Sequence, residues 1–117
     1  MPVAPKKLTE AEAADGFAAL GNRARLRLLR LLVRAGCEGM TVGEAGRRVD
    51  MPPSTLAHHL AALVRAGLVT QEKRGREVIC TAEFRVISGT AAYLTGACCA
   101  GFEDIDAESA AISGRRS

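Results

Sequence analysis

Residues 41–69 read TVGEAGRRVDMPPSTLAHHLAALVRAGLV, and this stretch decides the fold. Thr41 followed three residues later by Glu44 matches a capping box, the pattern with which many helices begin. Asp50-Met51-Pro52 supplies a turn, and a second helix follows over about residues 53–66. Two helices joined by a short turn predict a helix-turn-helix, whose second helix enters the major groove of DNA.

The second helix of this motif has an apolar and a polar side. Three leucines recur at helical spacing and should pack inward, namely Leu56, Leu60 and Leu63. The predicted DNA-contacting residues of this helix lie on or beside the other face: Ser54, Thr55, His58 and Arg65. His59 lies beside the leucines, so we expect it to be a core-edge histidine with one structural hydrogen bond rather than a base contact. Adjacent histidines point about 100° apart on a helix, which makes them a poor joint metal site.

The flanking segments complete a winged helix-turn-helix, a mostly α fold with a small β-hairpin (α+β). We predict helices at about residues 9–20, 22–35 and 41–48 before the recognition helix, and a last helix from about Glu83 whose apolar stripe extends to Cys98. Between them, 68–73 and 77–81 read as two strands of a hairpin. This hairpin is the predicted wing. Three basic residues at its tip are expected to contact phosphates or an adjacent minor groove: Lys73, Arg74 and Arg76.

The amino-acid composition limits the classes of protein to which this chain can belong. The chain has 117 residues, 48% hydrophobic and 25% charged, which favours one soluble domain. It has no run of about 18 apolar residues and no apolar segment near the N-terminus, so we expect a cytoplasmic protein with reduced thiols and no membrane contact. We divide it into an N-terminal arm (1–8), the winged domain (9–99) and a flexible acidic tail (100–117).

The net charge of +3 is distributed unevenly along the chain. Five arginines lie between residues 17 and 37 with no acidic residue among them: Arg23, Arg25, Arg27, Arg30 and Arg34. The tail, in contrast, carries Glu103, Asp104, Asp106 and Glu108. A basic body suits a polyanionic partner, although for this helix taken alone a solvated face is the better explanation of the arginines.

Two segments resemble the ArsR/SmtB family of winged-helix repressors. They are Leu20-Gly21-Asn22-Arg23-Ala24-Arg25-Leu26 and the stretch from Ser54-Thr55-Leu56-Ala57-His58-His59-Leu60 through Ala66-Gly67-Leu68-Val69. The resemblance covers about residues 8–101. It implies a non-enzymatic repressor, a homodimer built through the first and last helices, that binds an inverted-repeat operator and is released by an inducer. Ala57 departs from the pattern, since many relatives have a DNA-contacting serine there, and this shifts the expected contacts to Ser54, Thr55 and His58.

The same resemblance suggests the inducer. The family's cysteine site on the helix before the recognition helix is excluded because residues 41–48 contain no cysteine, and its zinc site on the last helix is excluded because no histidine follows His59. Tyr93-Leu94-Thr95-Gly96-Ala97-Cys98-Cys99 is similar to the arsenical-responsive members with a vicinal cysteine pair, although the third cysteine that often follows is missing. We therefore expect Cys98 and Cys99 to bind a trivalent arsenical.

Ligand number then ranks the inducers. Inorganic arsenite takes three thiolates, whereas methylarsenite or phenylarsenite needs only two, so the organoarsenicals are favoured; soft thiolates would also take Hg(II). Cys37 is the candidate third ligand, brought by folding or by the partner subunit, and Cys80 should simply be buried. Because neighbouring helical side chains do not face each other, we expect the inducer to unwind or bend the helix end.

Two other interpretations stay open. Cys37 and a cysteine of the pair could instead form a disulfide or polysulfide bridge, which would make the protein a redox or reactive-sulfur sensor. A cysteine-nucleophile enzyme is disfavoured, because no histidine lies near the pair in sequence and so small a chain has little room for a substrate pocket.

Overall fold

The structure is a computed structural model that describes residues 4–102. Its helices are α1 (Glu10–Leu20), α2 (Arg23–Ala35), α3 (Val42–Val49), α4 (Pro53–Arg65) and α5 (Phe84–Thr95), with a 3₁₀ helix at Gly36–Glu38. Its strands are β1 (Met40–Thr41), β2 (Val69–Arg74) and β3 (Glu77–Ala82). The predicted winged helix-turn-helix is confirmed, with the two-residue β1 and the 3₁₀ helix as additions.

The wing is the larger part of a three-stranded antiparallel sheet with the order β1-β3-β2. Val69 pairs with Ala82 and Arg74 with Glu77, so the hairpin turns at Gly75. β1 joins the other edge, where Met40 pairs with Cys80. Gly39 precedes β1 with φ +67°, and a Cβ on it would collide with the Cys80 carbonyl oxygen, so this close approach requires glycine.

The core lies between α2, α4 and the start of the wing. Its most deeply buried side chains are Leu28 and Leu32 of α2, Leu60 and Leu63 of α4, and Leu68, Val69 and Cys80 beside them. Burial of each large aliphatic side chain contributes roughly 1.5–3 kcal/mol. The recognition helix is therefore fixed to the domain by its leucine side, which leaves its polar side outward.

Two helices begin at a threonine with a capping pattern, α1 at Thr9 and α3 at Thr41, and the two patterns differ in the structure. At α1 both halves form: Thr9 Oγ1 accepts from Glu12 N, and Glu12 Oε1 accepts from Thr9 N. At α3 only Thr41 Oγ1 accepts, from Glu44 N at 3.1 Å. The Glu44 carboxylate instead pairs with Arg48 one turn later at 2.9 Å, so the prediction of a reciprocal box there was half right.

The last helix is shorter than its apolar stripe suggested. α5 ends at Thr95, and Cys98 and Cys99 lie in the turn that follows, which corrects the prediction that they belong to the helix. Gly96 and Gly101 flank this turn, and glycine disfavours continued helix by about 1 kcal/mol.

The described part of the arm lies against α5, where Lys6 N donates to the Arg85 carbonyl oxygen at 2.9 Å. The predicted acidic tail falls mostly on residues 103–117, which lie outside the described residues. Within 4–102, no helix is both long and apolar enough to span a bilayer.

Candidate DNA interface and thiol site

The recognition helix α4 presents its predicted contact residues to solvent. Leu56, Leu60 and Leu63 are at most 2% exposed and face the core. Ser54, Thr55, His58 and Arg65 are exposed. Small hydroxyls, an imidazole and a guanidinium along one open side are groups that can reach base edges and phosphates.

His59 packs as a structural residue, as the sequence predicted. It is 9% exposed, and its Nδ1 accepts a hydrogen bond of 3.0 Å from Arg25 Nε of α2. Desolvation lowers the pKa of His59, with smaller contributions from the charges of Arg25 and His58. His59 is thus held neutral, as an acceptor requires.

Arg25 also reaches the exposed neighbour on α4. Its Nη2 lies 3.4 Å from His58 Nε2, so one guanidinium contacts both histidines. Sequence reasoning placed Arg25 among the basic residues of α2 and did not identify this role. The contact could not be predicted from the sequence, because it forms only when α2 packs against α4.

The other arginines of α2 are placed differently. Four of them line a surface groove together with Arg48 of α3: Arg23, Arg27, Arg30 and Arg34. The apolar residues that line the same groove are Leu26, Leu31 and Val49. The four arginines share one side of the helix, in agreement with their sequence spacing. Arg25 is not among the residues that line this groove, and its side chain contacts α4 instead.

The wing tip is exposed and basic. Lys73, Arg74 and Arg76 are all open to solvent. Arg74 pairs with Glu72 on the same strand at 2.9 Å, an exposed pair that contributes little to stability. Lys73 and Arg76 are exposed cations of the wing outside this ion pair.

The structure brings the two neighbouring cysteines together. Cys98 Sγ and Cys99 Sγ lie 3.3 Å apart and both side chains are exposed. Cys98 N donates to the Thr95 carbonyl oxygen at 3.0 Å, and Cys99 adopts the left-handed conformation with φ +64°. That backbone geometry lets adjacent side chains approach as they do not within a helix.

The remaining cysteines lie elsewhere. Cys80 is fully buried on β3, as predicted, and its sulfur accepts a hydrogen bond from Gln71 Nε2 at 3.5 Å. Burial raises the pKa of the Cys80 thiol and keeps it protonated. Cys37 is exposed on the 3₁₀ helix. Within residues 4–102 of one chain, no three histidine, cysteine or acidic side chains form a group that could hold a metal ion, so a third ligand from Cys37 stays a prediction that involves the partner subunit.

Known proteins share this architecture. A family model described as a helix-turn-helix domain matches residues 20–72. An uncharacterized HTH-type transcriptional regulator of Methanocaldococcus jannaschii is 38% identical over 64 residues, which are 55% of this chain and 70% of that protein. The solved structure of an ArsR-like transcriptional regulator from Rhodococcus sp. RHA1 superposes with a TM-score of 0.68 at 29% identity, over 85% of this chain and 91% of the other. This chain belongs to the ArsR/SmtB family of winged helix-turn-helix transcriptional regulators.

A second ArsR relative carries the name of an arsenical resistance operon repressor. This Halobacterium salinarum protein is 38% identical over 60 residues, which are 51% of this chain. The match spans 46% of the length of that relative. The family is one of DNA-binding regulators rather than enzymes, which agrees with the sequence prediction.

Proposed function

We propose that this ArsR/SmtB protein is a homodimeric transcriptional repressor that leaves its operator when a trivalent arsenical binds Cys98 and Cys99. The proposal rests chiefly on one observation, the 3.3 Å separation of two exposed sulfurs. The name of the Halobacterium relative adds support for both repression and arsenicals.

The sulfur separation favours one coordination geometry. With bonds of about 2.3 Å, the length of a zinc–thiolate bond, an atom bonded to both sulfurs would have a sulfur–atom–sulfur angle of about 90°. This angle is narrower than the tetrahedral angle that zinc prefers. It suits a trigonal-pyramidal centre such as trivalent arsenic, whose lone pair compresses the bond angles.

Two sulfurs favour an organoarsenical. Methylarsenite and phenylarsenite retain one carbon substituent and need two thiolates, whereas arsenite exchanges three oxygens for three thiolates. Leu94 and Phe102 flank the pair and are 74% and 80% exposed, so they offer apolar surface to a phenyl or methyl substituent. Arsenite would need a further ligand, for which Cys37 of the partner subunit is the candidate.

DNA recognition is assigned to α4 and the wing. Ser54, Thr55 and His58 are proposed to meet the major groove, and Arg65 and the wing cations to meet phosphates. A dimer would present two such surfaces to an inverted repeat about one helical turn apart. Exposed apolar side chains on α1 and α5, such as Phe17 and Leu94, are consistent with a dimer contact through these helices.

The position of the pair beyond Thr95 changes the expected switch. The inducer has no helical turn to unwind there, because Cys98 and Cys99 already lie outside α5. It would instead lock the turn that follows α5 and cover its flanking apolar side chains. A change there alters the dimer contact and hence the spacing of the two recognition helices.

Operator release tests the function. Fluorescence anisotropy of labelled operator DNA should fall when phenylarsenite is added to the reduced wild-type complex. Cys98→Ser and Cys99→Ser should bind the DNA normally but retain it at the same phenylarsenite concentration, and Cys37→Ser is the matched control that should release it. Release from both pair variants would exclude the proposal.

Redox sensing is the second candidate, favoured by the exposure of Cys37 together with that of the pair. Mass spectrometry after treatment with polysulfide or peroxide tests it. A linkage between Cys37 and Cys98 or Cys99, accompanied by DNA release, would support it, and unlinked cysteines in released protein would exclude it.

A further inference from the structure

Arg25 makes side-chain contacts with both histidines of the recognition helix. Its Nε donates to His59 Nδ1 at 3.0 Å, and its Nη2 lies 3.4 Å from His58 Nε2. A guanidinium carries only donors and stays charged. Each facing imidazole nitrogen must therefore be an unprotonated acceptor, which fixes the proton of each neutral ring on the opposite nitrogen.

The bond to His59 is the anchor of this arrangement. His59 is almost fully buried, whereas Arg25 is half-buried and His58 is exposed. The backbone at Arg25 is also held, because its N–H donates to Asn22 Oδ1 at 3.1 Å at the start of α2. The guanidinium thus has a fixed base from which its second nitrogen points at His58.

We propose that Arg25 is a positioning residue that keeps the neutral His58 ring protonated on Nδ1, so that α4 offers DNA an N–H donor at this point. The inference rests on the proposed function, because it assumes that α4 meets DNA. A neutral imidazole bound this way selects an acceptor and rejects a donor. On base edges it would donate to guanine N7 or O6, adenine N7 or thymine O4, and it would avoid the cytosine amino group.

A phosphate oxygen offers the same acceptor chemistry as a base edge. The two differ in what they control, since a base contact sets sequence preference and a phosphate contact from a neutral ring adds affinity for all sequences alike. In either case Arg25 would act without touching DNA itself, through the proton position on His58.

The tautomer is measurable without DNA. Long-range ¹H–¹⁵N NMR spectra of the wild-type protein, recorded at a pH of about 8 where ordinary histidines are neutral, distinguish the two tautomers of each ring. We expect His58 protonated on Nδ1 and His59 protonated on Nε2. His58 protonated on Nε2 in the wild-type protein would overturn the proposal, whether or not the protein binds DNA.

Substitution then tests the role of Arg25. Arg25→Met should return His58 to the Nε2-protonated form, and Arg27→Met, a neighbour on α2 that lines the groove, should leave both tautomers unchanged. A His58 ring that stays Nδ1-protonated in Arg25→Met would contradict the assignment. The wild-type spectrum decides the tautomer even if this variant folds poorly.

The consequence for recognition is tested on a duplex selected by the wild-type protein. Arg25→Met and His58→Ala should each weaken binding roughly 2- to 12-fold, with a combined effect smaller than the product, because both remove one interaction. Loss of discrimination at one base pair would place the contact on a base, and an equal loss of affinity for all duplexes would place it on a phosphate. Effects of the two substitutions that multiply would show that Arg25 and His58 act independently and would contradict the proposal. Failure of the wild-type protein to select any duplex would contradict the proposed function alone.

Discussion

Arg25 Nε and His59 Nδ1, 3.0 Å apart, join the second helix of the chain to its recognition helix. The acceptor is buried and the donor half-buried, so the bond is partly shielded from water, and His59 relies on a residue 34 positions earlier in the sequence. The orientation of α4 therefore depends on a polar contact as well as on its leucines.

Removal of the guanidinium should lower the free energy of unfolding. Arg25→Ala leaves the His59 acceptor unsatisfied, and we expect a loss of about 1–3 kcal/mol in urea denaturation. Arg27→Ala removes a groove-lining side chain of the same helix and should change the free energy of unfolding by less than about 0.5 kcal/mol. Equal losses in the two variants would show that the bond contributes nothing specific.

Stability should also depend on pH through His59. Its pKa is lowered in the folded state, so below its ordinary value of about 6.5 the unfolded chain takes up a proton that the folded chain resists. Stability should therefore rise with pH up to about 6.5 and level off above it. His59→Asn, which keeps an acceptor for Arg25, should flatten the pH dependence of the urea midpoint between pH values of about 5.5 and 7.5.

Gly39 should tolerate no side chain. Gly39→Ala combines a left-handed backbone with a collision against the Cys80 carbonyl oxygen. Gly75→Ala is the matched control, because its φ of +63° is similar and nothing lies near the added Cβ. Thermal unfolding should show the Gly39 variant less stable than the Gly75 variant by at least about 1 kcal/mol, and similar stabilities would refute the close approach.

The wing should supply affinity that depends on salt. Lys73→Ala should weaken DNA binding to all sequences about equally and lower the slope of log affinity against log salt by about one. Arg34→Ala removes a cation from the α2 groove and should leave that slope unchanged. A reduced slope in Arg34→Ala would indicate that the α2 groove, rather than the wing alone, meets phosphate.

Most of the fold was predictable because its signals are local. The capping pattern at Thr9, the glycine after α4 and the alternation along the wing each indicate an element boundary within a few residues. β1 has no such signal, since two residues form a strand only through pairing with β3. The early end of α5 was missed because apolar spacing continued to Cys98, whereas the backbone leaves the helix at Gly96.

The candidate site, too, was predictable only in part. Helical spacing correctly placed Ser54, Thr55 and His58 outward and His59 at the core edge. The partner of His59 could not be predicted, because Arg25 meets it only after α2 packs on α4. The approach of the two sulfurs depends on the positive φ of Cys99, which residue type alone does not indicate.

The most direct measurement is a titration of the reduced protein–operator complex with phenylarsenite and with arsenite, followed by DNA release and by native mass spectrometry. The account predicts that phenylarsenite releases DNA at the lower concentration, with one arsenical bound per chain through Cys98 and Cys99, and that the Cys98→Ser/Cys99→Ser protein neither binds it nor releases DNA. Release by phenylarsenite from that double variant, or an arsenical bound to Cys37 alone, would contradict it.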